Sequence, residues 1–469
     1  MIVPSSSSSS SSSSGILKTL AVGVTGYCAA WGVYYLVQDT FRNSHIKKRK
    51  RRFDNRVRRS SSKPSQDVSK EERKAAVIER FASLSVLGRY VNPFGEWREQ
   101  GAWEYVAWKS WVLFIQGRLW YDGGLAKLKK TKEGRARIEA TLPVRQPEWD
   151  KYPQASSGRS PAEEEDWHRM SKSDFEGDDG ALSRLPSEEA KIRYTWVGQS
   201  TFLIAYAGIT ILTDPVFEVQ PVPSAWSPNR ITDVPCTIQD IVSRVQLDIV
   251  LVSHNHFDHF DSRCVPHVPD TTTWIVPLGM RRLLRSCGVK NDHQIIELTW
   301  WEMKELEYHG TRLDIQSIPA IHWSGRGPFD VNQSLWTSYS LRMTPAPSLP
   351  ATHIYFSGDT GYSATYYPHI SSVLPSAPDL AFLPIGSYAP RWHMRPQHVS
   401  PADSVQIAED IGAKKVVAMH WGTWLMSDEE WDEPPQLLRQ ALQEKQGIKV
   451  KGQLSFETVE LGATNELAL

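Results

Sequence analysis

Six residues constrain this chain more than any others. His254-Asn255-His256-Phe257-Asp258-His259 is an HxHxDH pattern, four metal-capable side chains in one short stretch. The run before it, Leu247 to Val252, is short, apolar and β-branched, the pattern of a buried strand. The four side chains are therefore expected on a tight turn at the end of a rigid strand. Imidazole together with carboxylate suits zinc, with iron and manganese as alternatives. One ion cannot take all four from so tight a turn. The cluster reads as two ions, His254 with His256 on one and Asp258 with His259 on the other. The rival is a polar hydrogen-bonded turn without metal, and this spacing is rare by chance.

A two-ion site needs further ligands, and three later stretches offer them. Asp314 to Ala320 leads to His322, His353 to Gly358 leads to Asp359, and Lys415 to Met419 leads to His420. Each is an extended run ending at a His or Asp, and strand ends of this kind converge on one edge of a layered α/β sheet. A lone His near a strand is more often a packed histidine; the set of three after HxHxDH is the signal.

HNHFDH, His322, SGDTGY and MHWG resemble the motifs of the metallo-β-lactamase superfamily. TWVGQSTFLI, LTDPVF, HWSGRGPFD, LWTSY, PIGSYAPRW and QHVSPADSV narrow the likeness to its phospholipases D that hydrolyse N-acylphosphatidylethanolamine. It runs from about Gly88 to about Trp424, with a gap near 150–190. The resemblance implies an α/β fold, an αβ/βα four-layer sandwich with two sheets face to face. It implies two zinc ions per chain: His254, His256 and His322 on one, Asp258, His259 and His420 on the second, and Asp359 bridging. Asp359 and His398 are the expected catalytic residues. Phe257, Arg391, Trp392, Gln397 and His398 are the expected substrate contacts, and Asp214 is expected to orient the ligand turn from behind. The resemblance also implies a homodimer. Two departures stand out: Gln199, where family members often carry His, and Phe257, where relatives can carry Tyr.

Composition adds compartment and partners. The chain has 469 residues with 53 Lys+Arg and 53 Asp+Glu, so net charge argues for no partner. Cys28, Cys236, Cys264 and Cys287 are widely spaced without a CxxC, which suits a reducing compartment and excludes a cysteine zinc site. Ser5 to Ser14 is low-complexity, and 1–14 reads as a disordered tail. Thr19 to Val37 holds no charge and predicts a membrane-spanning anchor over 15–38. Basic residues follow it (Arg42, Lys47 to Arg52, Arg56, Arg58, Arg59), which places that flank on the cytosolic or matrix side, beside anionic lipid. A signal peptide, a nuclear localisation signal and a mitochondrial presequence are the rival readings of this end. Residues 39–75 read as a basic and polar linker, 76–469 as the catalytic domain, and 150–190 as an acidic surface insertion. Trp108, Trp111 and Phe114 at three-residue spacing suggest one helical face, for core, bilayer or subunit packing.

The expectation is a membrane-anchored, single-pass zinc phosphodiesterase at the mitochondrial inner membrane or an endomembrane. It would release an N-acylethanolamine and phosphatidic acid from a phospholipid. A nucleic-acid phosphodiesterase would share HxHxDH but should carry its basic surface inside the catalytic domain, so nucleic acid is not an expected partner. A non-enzymatic membrane scaffold should have lost ligands, and all seven are present.

Overall fold

The computed structural model describes residues 10–61, 66–98, 100, 102–116, 124–155, 190–222, 224, 227–327, 329–345, 349–446 and 454–469. A short hairpin, β1 (Leu84–Val86) with β2 (Arg89–Val91), precedes two seven-stranded sheets. The first sheet runs, in spatial order, β16 (Thr464–Ala468), β3 (Lys191–Gly198), β4 (Thr201–Tyr206), β5 (Ile209–Thr213), β6 (Ile249–Leu251), β7 (Thr273–Pro277) and β8 (Ile295–Leu298). The second runs β15 (Ser455–Glu457), β14 (Lys415–Met419), β13 (Leu380–Pro384), β12 (Thr352–Phe356), β11 (Ser338–Thr344), β10 (Thr311–Ile318) and β9 (Met303–Tyr308). Each sheet is antiparallel over one half and parallel over the other: β5 to β8 in the first, β12 to β15 in the second.

The inner parallel strands are mostly apolar because both their faces are covered. β6 and β12 are buried at every residue. The sheets meet through rings such as Phe202 against Phe382 at 4.3 Å and Trp196 against Trp421 at 5.5 Å. A second apolar cluster lies on the outer face of the first sheet, beneath Ile238, Ile241 and Leu284. This is the expected αβ/βα sandwich. The hairpin read at 202–213, the helix near 237–245 and the helix ended by Gly412 all form, the last two with Thr237–Asp240 and Ser400–Asp403 capping boxes.

The amino-terminal reading needs correction. Residues Ser10–Ser61 form one helix, α1, followed by α2 (Gln66–Arg80). Among the described residues no helix is long and apolar enough to cross a membrane, so the anchor expected over 15–38 finds no support. The run is uncharged, but Gly23, Thr25, Gly26, Tyr27, Gly32, Tyr34 and Tyr35 dilute its apolar character. The linker expected over 39–75 is helical on both sides of 62–65. Its basic residues face protein as well as solvent. Arg49 donates to Ala82 O at 2.6 Å, Arg52 and Arg56 each lie 2.9 Å from Glu79, and Phe53 is buried against His369. Most of the tail over 1–14 and of the insertion over 150–190 lies outside the described residues. The aromatic helix forms as α3 (Ala102–Gln116), but its expected single face divides. Trp108 and Val112, four apart, are buried with Met394, whereas Trp111 and Phe114 are 67% and 83% exposed.

Candidate metal centre

The candidate ligands come from the carboxyl ends of strands in both sheets: β6 in the first, and β10, β12 and β14 in the second. The turn after β6 is fixed from behind by Asp214, which follows β5. Ser253 N and Ser253 Oγ donate to the two oxygens of Asp214, each at 2.6 Å, and His259 Nδ1 donates to Asp214 Oδ2 at 2.7 Å. Burial raises the Asp214 carboxyl above its ordinary range, opposed by these bonds from His259 and Ser253. With Nδ1 so occupied, His259 presents Nε2 to the centre. His322, after β10, does the same, donating Nδ1 to Gln397 O at 3.0 Å. His254 Nδ1 meets Ser253 Oγ at 2.9 Å. In each case a neighbouring oxygen chooses the ring nitrogen left for a ligand.

Two groups of atoms result. His256 Nδ1 lies 2.9 Å from His254 Nε2 and 3.2 Å from His322 Nε2. Asp258 Oδ2 lies 3.5 Å from His259 Nε2 and 3.2 Å from His420 Nε2. Asp359 Oδ2 stands between the groups, 3.1 Å from both His259 Nε2 and His420 Nε2 and 3.7 Å from His322 Nε2. His398 Nδ1 is 3.8 Å from the same oxygen. Although these atoms crowd together, His259 Nε2, His420 Nε2 and Asp359 Oδ1 are buried without a hydrogen-bond partner. Converging orphaned donors of metal-ligand type fit bound cations.

Burial drives His254 and His256 well below the ordinary histidine range, His322 down to about 4 and His398 down to about 3. All four are neutral at neutral pH, the state in which imidazole ligates metal. Burial works against ionisation of Asp258 and Asp359 too, but the neighbouring His259 and His420 hold both carboxyls well below their ordinary value.

The centre floors a cavity of about 780 Å³, walled by Trp97, Tyr105, Trp108, Phe257, Trp323 and Met394, with His256 and Asp258 at its base. Of the expected substrate contacts, Phe257 and Gln397 line it. Arg391 and Trp392 do not, because the single turn of helix Arg391–Met394 carries His393 and Met394 inward and the first two residues outward. Arg391 donates instead to Asp403 Oδ2 at 2.6 Å and to His398 O at 2.9 Å, holding the His398 backbone. Trp392 is 56% exposed on the outer rim.

Gln199 stands out in the sequence only as a departure with no ligand role. In the structure its amide donates to Asp258 Oδ2 at 2.8 Å, and its carbonyl accepts from His420 N at 2.9 Å. One residue in the β3–β4 turn thus holds two of the candidate ligands. Arg326 lies within HWSGRGPFD, but the sequence assigns it no role. It donates to Asn255 O and Phe260 O at 2.9 and 2.8 Å and stacks over Phe257 at 3.9 Å, clamping the HxHxDH turn from outside.

A sequence profile described as Beta-lactamase superfamily domain matches residues 210–421, which span all seven candidate ligands but neither Gln199 nor the cavity's amino-terminal wall. The chain is 34% identical over 362 residues to the N-acyl-phosphatidylethanolamine-hydrolyzing phospholipase D, mitochondrial, of Saccharomyces cerevisiae, covering 76% of this chain and 72% of that one. It is 30% identical over 302 residues to N-acyl-phosphatidylethanolamine-hydrolyzing phospholipase D 1 of Caenorhabditis elegans, covering 63% and 78%. The chain belongs to the N-acyl-phosphatidylethanolamine-hydrolyzing phospholipase D family. It is a metal-dependent hydrolase of the metallo-β-lactamase superfamily. Among solved structures it is similar to an isothiocyanate hydrolase from Delia radicum gut bacteria, at 20% identity and a TM-score of 0.45 over 59% of this chain and 100% of that one. In this member of the phospholipase D family, Gln199 supports the centre without being one of the candidate ligands.

Proposed function

We propose that this chain is a two-zinc phosphodiesterase that cleaves N-acylphosphatidylethanolamine to an N-acylethanolamine and phosphatidic acid at a membrane surface. The observation that carries this reading is the cavity: large, mostly aromatic and apolar, with a His/Asp centre at its base. Such a space suits a phosphodiester with acyl chains and suits a hydrated polynucleotide backbone poorly. His254, His256 and His322 would hold one ion, Asp258, His259 and His420 the other, with Asp359 bridging. When bound, two such ions supply an activated water and a clamp on the phosphate oxygens. Asp214, Gln199 and Gln397 fix the ligands before substrate arrives. His398, neutral and beside Asp359, would donate a hydrogen bond to the phosphate or the departing ethanolamine oxygen. The aromatic walls exclude water and receive acyl chain.

The exposed Trp111, Phe114 and Trp392 support approach from a lipid interface, where tryptophan is favoured. The mitochondrial designation of the yeast relative supports a mitochondrial location. The purified full chain is tested with N-acylphosphatidylethanolamine, plain phosphatidylethanolamine and a structured RNA, alongside elemental analysis. Release of N-acylethanolamine by protein holding about two zinc ions is expected, with Asp359→Ala losing both metal and turnover. Cleavage of the RNA alone would transfer the assignment to the nuclease class, and activity without transition metal would sink the zinc reading.

A further inference from the structure

Helix α1 carries a stripe that the sequence disguises. Trp31, Tyr35, Gln38, Arg42, Arg49 and Phe53 recur at three-, four- and seven-residue steps, which puts them along one side of a helix. Gln38 and Arg42 are buried, and between and beyond them Thr40, Asn43 and Lys47 are exposed. The stripe lies against the catalytic domain. Arg89 stacks over Trp31 at 5.0 Å, and Tyr35 lines the cavity above the metal centre.

Arg42 is the deepest contact. Its Nε donates to Asn92 O at 2.6 Å, and its Nη2 donates to Phe94 O and, at 2.9 Å, to Trp97 O. A guanidinium is costly to bury; three backbone carbonyls in a fixed arc, with Asp39 Oδ1 3.6 Å from Nη1, compensate it. The gripped segment is not neutral ground. Trp97 is a wall of the cavity, and Asn92 Nδ2 donates to the carbonyl of His322 at 2.8 Å. The path from helix to candidate ligand therefore runs through two side chains, Arg42 to the Asn92 backbone and Asn92 to the His322 backbone.

We infer that α1 is a working part of the active site rather than an appendage: Tyr35 is a specificity-determining wall of the substrate cavity, and Arg42 is a positioning residue for His322. This rests on the proposed phosphodiesterase reading for its substrate, but not for its metal geometry. A segment that only addressed the protein to a compartment would need neither a buried arginine cage nor a side chain in the cavity.

The test uses the full chain with Arg42→Ala, Arg42→Lys and Tyr35→Ala, and Lys47→Ala on the exposed side of the same helix as control. Each protein is loaded with cobalt(II), whose d–d absorption reports the ligand field without any substrate. Arg42→Ala is expected to shift those bands and lower kcat about tenfold, the scale of losing a group that orients a ligand. Arg42→Lys, able to reach fewer carbonyls, falls between it and the wild type. Tyr35→Ala is expected to keep the bands and raise KM about three- to tenfold, the signature of lost substrate binding. Arg42→Ala and Tyr35→Ala proteins that both match Lys47→Ala would overturn the inference. So would an Arg42→Ala protein whose only defect is a lower Tm, with wild-type bands and kinetics below it. If Arg42→Ala does not fold, Arg42→Lys and Tyr35→Ala decide the matter by the same two readouts. Kinetics are read against the wild type on whichever phosphodiester it turns over. A substrate other than N-acylphosphatidylethanolamine thus sinks the proposed function and leaves this inference standing.

Discussion

Gln199 shows how one residue can serve two ligands at once. Its side-chain amide holds Asp258, and its backbone carbonyl holds the backbone of His420. Gln199→Leu keeps the volume and the backbone carbonyl but removes the amide donor, so Asp258 is freed while His420 stays seated. Zinc affinity should drop about 10–100-fold, read by competition with a chelator. Gln199→His restores a donor and should recover most of it; equal affinity in Gln199→Leu and wild type would refute the role. His353 gives a pH prediction away from the centre. Its Nδ1 donates to Ser376 O and its Nε2 accepts from Ser340 Oγ, each at 2.8 Å. Burial, the largest cause, pushes it down to about 4 from an ordinary 6.5. The unfolded chain therefore takes up this proton first. The stability His353 contributes is complete above about pH 6.5 and is lost as pH falls from there toward 4. His353→Gln should flatten the fall in Tm across that interval, and an unchanged slope would refute it.

At the level of elements, the two sheets meet closely at a glycine. Gly358, after β12, has φ 54°, and a Cβ there would stand 2.5 Å from Ser253 Cβ, at the start of the HxHxDH turn. Gly358→Ala combines an unfavourable backbone with a clash against the ligand turn. It should cost about 1–3 kcal/mol and loosen the metal, visible together as a lower Tm and easier zinc loss. A variant with normal metal retention would show that the turn yields without consequence. What the sequence discloses follows from range. HxHxDH is legible because its ligands are neighbours, β6 because it is a wholly apolar buried strand, and β12 and β14 because apolar residues dominate them. Asp214 is legible by resemblance. Gln199 is not, since its partners are distant in the chain and a glutamine in a turn has no chemical signature. Arg391 and Trp392 look like substrate contacts because basic and aromatic residues adjoin there; a single helical turn decides which of them face inward. The α1 stripe is hidden because its buried members include Gln38 and Arg42, so no apolar period marks the seam.

Over the whole molecule, α3 and the Arg391–Met394 turn both line the cavity, and the same two elements expose Trp111, Phe114 and Trp392. If lipid is reached there, Trp111→Ala with Phe114→Ala should lower binding to phosphatidylcholine vesicles in a flotation assay, with zinc content unchanged. Full binding by the double variant would move the membrane-facing side elsewhere. The same frame explains why chain order matters so little to the centre: its ligands come from both sheets, and each sheet supplies them from the ends of strands already held on two sides.

The order matters elsewhere. β3 is an inner strand only because β16 covers it, pairing Thr464 with Thr195 through to Ala468 with Lys191. On the ribosome β3 emerges long before β16. For most of synthesis the first sheet therefore offers a bare row of amide and carbonyl groups to any other nascent chain. A nonsense codon just before Thr464 would leave every candidate ligand in place and yet produce a protein with that row permanently open. Its failure in the cell would be one of solubility and chaperone demand, with the chemistry still encoded intact.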